Sequence, residues 1–136
     1  MTRWTRWLFT LFWVVGVIMP ICLLAFSVMR QSAWAGRYEC TGTDVDGHVY
    51  QATLEVQVVG EAYRLLWQYP RGATVYGIGI VEMGALVVAF RDGPGSMTGV
   101  GVYRQQDGGL HARWTTFGSE MKIMTETCLP AGARAG

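Results

Sequence analysis

Charge is scarce in this sequence. Lys, Arg, Asp and Glu make up 15% of its 136 residues, and their signs nearly cancel to a net +1. No basic surplus offers a footprint for phosphate, so nucleic acid is not an expected partner, and no acidic run marks a solvating tail. Histidine occurs twice, as His48 and His111, and cysteine three times. No Cys-x-x-Cys pair is present, so Cys40 and Cys128 with the two histidines lack the ligand spacing of a zinc site. There is no Gly-x-Ser-x-Gly elbow, and Ser96 stands in a turn-like GPGSMTG. GIGIVEMG lacks the Gly-x-Gly-x-x-Gly spacing of a phosphate loop, and no helical pattern follows it. These absences leave no nucleophile–base pairing for a hydrolase and no expected cofactor or metal.

What is present divides near residue 35. Trp7 to Met29 reads WLFTLFWVVGVIMPICLLAFSVM without one charge. As a helix it would span roughly 34 Å, enough for a bilayer core of about 30 Å. Arg3 and Arg6 precede it and favour an N-inside orientation. Residues 1–35 therefore read as a signal anchor, a single transmembrane helix. Ala33-Trp34-Ala35 before Gly36 supports a second reading, a cleaved secretory signal. The apolar run exceeds the usual signal core, which favours the anchor. Either way the remainder is exported.

From Gly36 onward turn signals recur roughly every ten residues: Asp44–Gly47, Gly60-Glu61, Tyr69–Gly72, Glu82–Gly84, Asp92–Gly95, Asp107–Gly109 and Phe117–Ser119. Between them lie eight alternating runs rich in β-branched and aromatic residues: 37–43, 48–58, 62–68, 73–80, 85–91, 98–104, 110–116 and 121–128. The second places Tyr50, Ala52, Leu54, Val56 and Val58 on one face. The third offers Tyr63, Leu65 and Trp67, and the seventh Leu110, Ala112 and Trp114. One apolar face per strand and short connections predict an all-β fold with antiparallel neighbours. Eight strands in up-and-down order close most economically into a barrel of the lipocalin or avidin kind, because closure removes the edges. A two-sheet sandwich is the alternative. The barrel is expected over 36–130, with 131–136 a flexible tail.

Cys40 falls in the first run and Cys128 at the end of the last. In a closed meander these strands are neighbours, and an exported domain meets an oxidising compartment. A Cys40–Cys128 disulfide across the seam is the expectation, with two buried thiols the alternative. Asp44-x-Asp46-Gly47 resembles a calcium loop only superficially. Thr53 stands where the last glutamate is required, and Asp-Gly between alternating runs is a hairpin signal. His48 and His111 fall on the outer face. Gly77 with Gly79, and Gly99 with Gly101, clear one face of their strands, either for tight coiling or for a bulky group to cross. The aromatics Tyr38, Tyr50, Tyr63, Trp67, Tyr76, Phe90, Tyr103 and Trp114 are spread over most strands. Inward ones either fill the barrel or line a ligand cup.

The ordered pieces GRYECTGTDVDGHVYQATLEV, YRLLW, YGIGI, LVVAF, GVGVYR, GGLHARWTTFG and TETCLP, over roughly residues 36 to 130, resemble the fibronectin-binding-protein-like family of small exported bacterial β-domains. The resemblance implies the β fold and export, and its name suggests binding to another protein. The expectation is a non-enzymatic interaction module on the periplasmic face of a bacterial inner membrane, an accessory subunit of a membrane complex. Arg64, Arg71, Arg91, Arg104 and Arg113 are its candidate contact surface. The alternative is a soluble exported carrier of a small apolar ligand inside the barrel.

Overall fold

The computed structural model describes residues 33–95 and 97–133. The run Trp7–Met29, expected as a membrane helix, and residues 134–136 lie outside the described residues. Eight strands follow in chain order: β1 (Gly36–Thr43), β2 (Val49–Val59), β3 (Ala62–Gln68), β4 (Thr74–Glu82), β5 (Ala85–Asp92), β6 (Thr98–Gln106), β7 (Gly109–Thr116) and β8 (Met124–Pro130). Each pairs antiparallel with the next, and β8 pairs with β1, so the sheet is a closed barrel. The tight turns follow from local chemistry. Asp107-Gly108 has positive φ at both positions, 52° and 75°, the geometry that matches strand twist in a two-residue hairpin.

One expected strand limit and one expected inward residue need correction. The last strand begins at Met124, not residue 121, and runs on to Pro130. Ser119 folds the preceding loop inward: its hydroxyl donates to the Thr116 carbonyl at 2.8 Å, and its own carbonyl accepts from Lys122 N at 3.0 Å. Glu120 and Met121 take positive φ within that loop, so the chain cannot be extended there. Val58, expected inside, is 39% exposed. β1 begins at Gly36 opposite Val56, so Val58 projects past its neighbour on that side. In the expected tail, Ala131 N donates to the Arg37 carbonyl at 2.8 Å.

The two ends of the barrel differ. Chain entry and the turns at Gly60, Gly84 and Gly108 lie at one end. There Leu54, Leu65, Leu86 and Leu110 are fully enclosed, and Tyr38 and Trp34 join the same core. The Tyr38 hydroxyl donates to the Trp34 carbonyl at 3.1 Å, which ties the entering chain to the filled end. The compact unit holding the barrel begins at Trp34. Toward the other end, large rings lie over positions without side chains. A Cβ on Gly77 would meet the Trp67 ring at 2.8 Å, and one on Gly99 would meet the Phe90 ring at 2.5 Å. These glycines therefore give room to bulky neighbours, the second of the two readings above.

Cys40 and Cys128 are direct partners across the β1–β8 seam and form a disulfide between residues 88 apart in sequence. Both are enclosed in the core. The bond closes nearly the whole domain into one loop, which restricts the unfolded chain strongly. Replacing both cysteines by alanine is expected to lower the unfolding free energy by about 2–5 kcal/mol, measured by urea titration. The β spectrum in the far ultraviolet should persist, since the eight-strand register does not depend on the cross-link.

Candidate functional site

Away from the filled end the interior opens into a cavity of about 360 Å³. Six aromatic residues line it: Tyr50 on β2, Trp67 on β3, Tyr69 after β3, Phe90 on β5, Tyr103 on β6 and Trp114 on β7. Their rings form one connected chain. Tyr69 meets Tyr50 at 5.7 Å between centroids, Tyr50 meets Trp114 at 6.3 Å, and Trp114 meets Phe90 at 5.9 Å. Phe90 then meets Trp67 at 6.1 Å, and Trp67 meets Tyr103 at 6.4 Å. All five crossings are tilted or edge-on rather than face to face. The interior thus does both things allowed by its aromatic content, filling at one end and lining a cup at the other.

At the inner wall of the cup stands Glu126, only 4% exposed. It occupies the inward position of β8 between Met124 and Cys128. The Tyr50 hydroxyl donates to its Oε2 at 2.7 Å and the Tyr103 hydroxyl to its Oε1 at 2.6 Å. Trp67 Nε1–H approaches Oε1 at 3.4 Å, a longer bond. The Cys128 sulfur lies 3.3 Å from Oε1 but carries no proton, being in the disulfide. The two phenols and the indole N–H can all donate to it, and the two oxygens of a carboxylate can accept all three.

The register explains how two tyrosines reach one carboxylate. Glu126 is flanked by Gly42 on β1 and Ala112 on β7. Tyr50 pairs with Gly42, and Tyr103 pairs with Ala112. Each phenol comes from two strands away and passes over a small residue to reach Glu126. A Cβ on Gly42 would collide with the Tyr50 hydroxyl and stand 2.9 Å from the Thr125 carbonyl.

Burial, and then the negative charge of Glu126, push the Tyr103 and Tyr50 phenols well above the ordinary tyrosine range. Tyr69 is pushed up to about 12 by the same causes in the same order. These phenols stay protonated across the neutral range, and those of Tyr50 and Tyr103 donate to Glu126. Nearer the mouth, Asp44 and Asp92 also line the cavity. Asp44 Oδ1 accepts from the amides of Asp46 and His48 at 2.9 and 2.8 Å. The His48 amide bond comes first among the causes that hold Asp44 below the usual carboxylate range. Asp44-x-Asp46-Gly47 is therefore a turn that uses its own aspartate. The Trp114 indole N–H is buried without a hydrogen-bond acceptor among the described residues.

The residues singled out in the sequence lie elsewhere. Arg64, Arg91, Arg104 and Arg113 are exposed on four strands, and Arg71 is exposed on the turn after β3. Arg104 and Arg113 share adjacent strands, with Arg104 opposite His111 and Arg113 opposite Val102. Arg64 and Arg91 are separated by β4. None of the five lines the cup. His48 is exposed and His111 is on the outer wall, while Cys40 and Cys128 are bonded inside, so no zinc set forms from these four. Tyr76 faces solvent. Glu126 was missed by sequence reasoning. Counting back in twos from Cys128 puts it inside, which is the signal that would have found it.

No family model matches the sequence, and no curated protein matches it. Among solved structures, the chain is similar to a designed protein described as a de novo design of a fluorescence-activating beta barrel. The TM-score is 0.52 and the identity 17%, over 71% of this chain and 93% of that one. At that identity the likeness is one of fold, an all-β barrel.

Proposed function

We propose that this chain is an exported, membrane-anchored barrel that holds a small, largely apolar molecule in its open end. The observation that carries the reading is the aromatic cup. Its volume lies in the range of small-molecule sites, about 300–1,000 Å³, and its apolar walls surround a few convergent polar groups. An up-and-down barrel with one filled and one open end follows the lipocalin or avidin plan. Ligand holding thus takes precedence over the interaction-module expectation.

Anchoring is supported from both sides of residue 35. The uncharged run Trp7–Met29 has bilayer-spanning length. Cleavage after Ala35 would also remove Trp34, which is 5% exposed in the core. Loss of a buried tryptophan side chain typically costs about 3–5 kcal/mol, a large share of a small domain's stability. The cup opens at the end of the barrel opposite the one where the chain enters it. This reading places the barrel on the periplasmic side of a bacterial inner membrane, as the resemblance to exported β-domains also suggests.

A second reading, an accessory subunit of a membrane complex, is favoured by the outer wall. Ile78 on β4 is 70% exposed, and the register carries the apolar strip through Ala89 to Val100, with Ile80 opposite Val87 beside it. Contiguous exposed apolar surface of this kind marks contact sites. The two readings are compatible, since cup and strip lie on different faces of the wall.

Ala73→Trp tests the cup. Ala73 is an exposed residue at its mouth, so the larger ring obstructs entry without disturbing the core. A naphthalene-based fluorogenic probe should bind the parent protein at one site and lose about tenfold or more in affinity with the variant. Equal binding by both proteins places the probe elsewhere and contradicts the reading. The mass of the chain recovered from membranes tests anchoring. The expected species retains residues 1–35 and resists carbonate extraction; a soluble species beginning at Gly36 contradicts it.

A further inference from the structure

The walls of the cup carry charge of one sign. Asp44, Asp92 and Glu126 line it, and no basic side chain does among the described residues. Asp44 lies 3.5 Å from His48 Nδ1, an exposed contact on the turn. Glu126 lies deeper and forms no ion pair among the described residues. Its three hydrogen-bond donors are neutral groups that spread the charge without cancelling it. A buried carboxylate in that state remains penalised by lost hydration, and a counter-charge brought close would relieve the penalty.

The oxygen geometry leaves room for one. A carboxylate offers about four lone-pair directions. Oε1 receives Tyr103 and Trp67, whereas Oε2 receives Tyr50 alone. One direction on Oε2 therefore has no hydrogen-bond partner among the described residues, which matches a single N–H donor rather than a bidentate fork. Tyrosine and tryptophan rings line the same cup, and the faces of such rings attract cations within about 6 Å of the centroid. Negative ligands meet three carboxylates and are disfavoured. A neutral apolar ligand would use the rings but would leave Glu126 as it is.

We propose that the ligand class of this cup is an organic monocation, an ammonium joined to an aromatic or alkyl body, with Glu126 as its counter-ion and the tyrosine and tryptophan rings as its cage. The proposal deepens the small-molecule reading above and rests on it. Tyr50 and Tyr103 hold Glu126 in place, and the body of the ligand lies along Phe90 and Trp114.

The test is a charge series on one ring system. Binding of 2-naphthylmethylammonium, 2-naphthylmethanol and 2-naphthoate is measured by titration calorimetry on the full chain in zwitterionic lipid nanodiscs, with empty nanodiscs subtracted. The ammonium should bind about tenfold or more tighter than the alcohol, and the naphthoate weakest. Glu126→Gln should remove the preference for the ammonium over the alcohol. If the alcohol binds as tightly as the ammonium, the cup stands but the cation assignment is overturned. A preference that survives Glu126→Gln overturns the counter-ion role. If no member binds, both the cup and its ligand class are rejected. Should Glu126→Gln fail to fold, the ordering on the unaltered chain decides the assignment.

Discussion

The interior is organised around a carboxylate that has been taken out of water. Glu126 sits on the inner wall of a small barrel, where removal of a charge from solvent carries a penalty of several kcal/mol. Hydrogen bonds to a charged group contribute about 1.5–3 kcal/mol each, so donors from Tyr50, Tyr103 and Trp67 offset much of that penalty. Meeting this requirement dictates the neighbours. Phenols that start two strands away reach the carboxylate only if the intervening positions are small. Gly42 and Ala112 fill those positions, one on each side. Four strands and the seam are thereby committed to a single polar contact.

That commitment divides the barrel lengthwise. The end where the chain enters carries the continuous leucine core, the disulfide and Trp34, and it can bear most of the stability. The open end is relieved of that task, and its rings stand as walls around a cavity. Binding sites are commonly drawn from the less densely packed part of a fold, and here the partition runs along the barrel axis. Glycines at Gly77 and Gly99 extend the same logic. They let Trp67 and Phe90 lie across the wall, which keeps the rings out of the centre of the cup.

Much of the fold was legible because strand alternation is a strong signal. Eight runs, their order, the closure and the Cys40–Cys128 bond follow from period two plus neighbouring termini, and the barrel has them. Strand ends were less legible. The loop before β8 is set by the Ser119 hydroxyl and two left-handed residues, which have no hydrophobic period. The cup was half legible. Its aromatics were visible as a set, but which of them fill and which line depends on position along the barrel axis, and Tyr76 faces out altogether. Glu126 was hidden by its own chemistry. A glutamate in a strand reads as solvent-facing, and its parity with Cys128, confirmed by the register beside Gly42 and Ala112, is what turns it inward. The arginines illustrate the opposite case: conspicuous in sequence, they are dispersed over the outer wall.

The central claim, that a buried carboxylate and its phenols act as one unit, is tested most directly by a double-mutant cycle. Unfolding free energies are measured by urea titration for the parent chain, Tyr103→Phe, Glu126→Gln and the pair. Coupling of about 1–3 kcal/mol between the two positions is the predicted result, as for a charge-assisted hydrogen bond inside a low-dielectric interior. Additive effects, with coupling near zero, would mean that Glu126 and Tyr103 are merely adjacent, and would contradict the account.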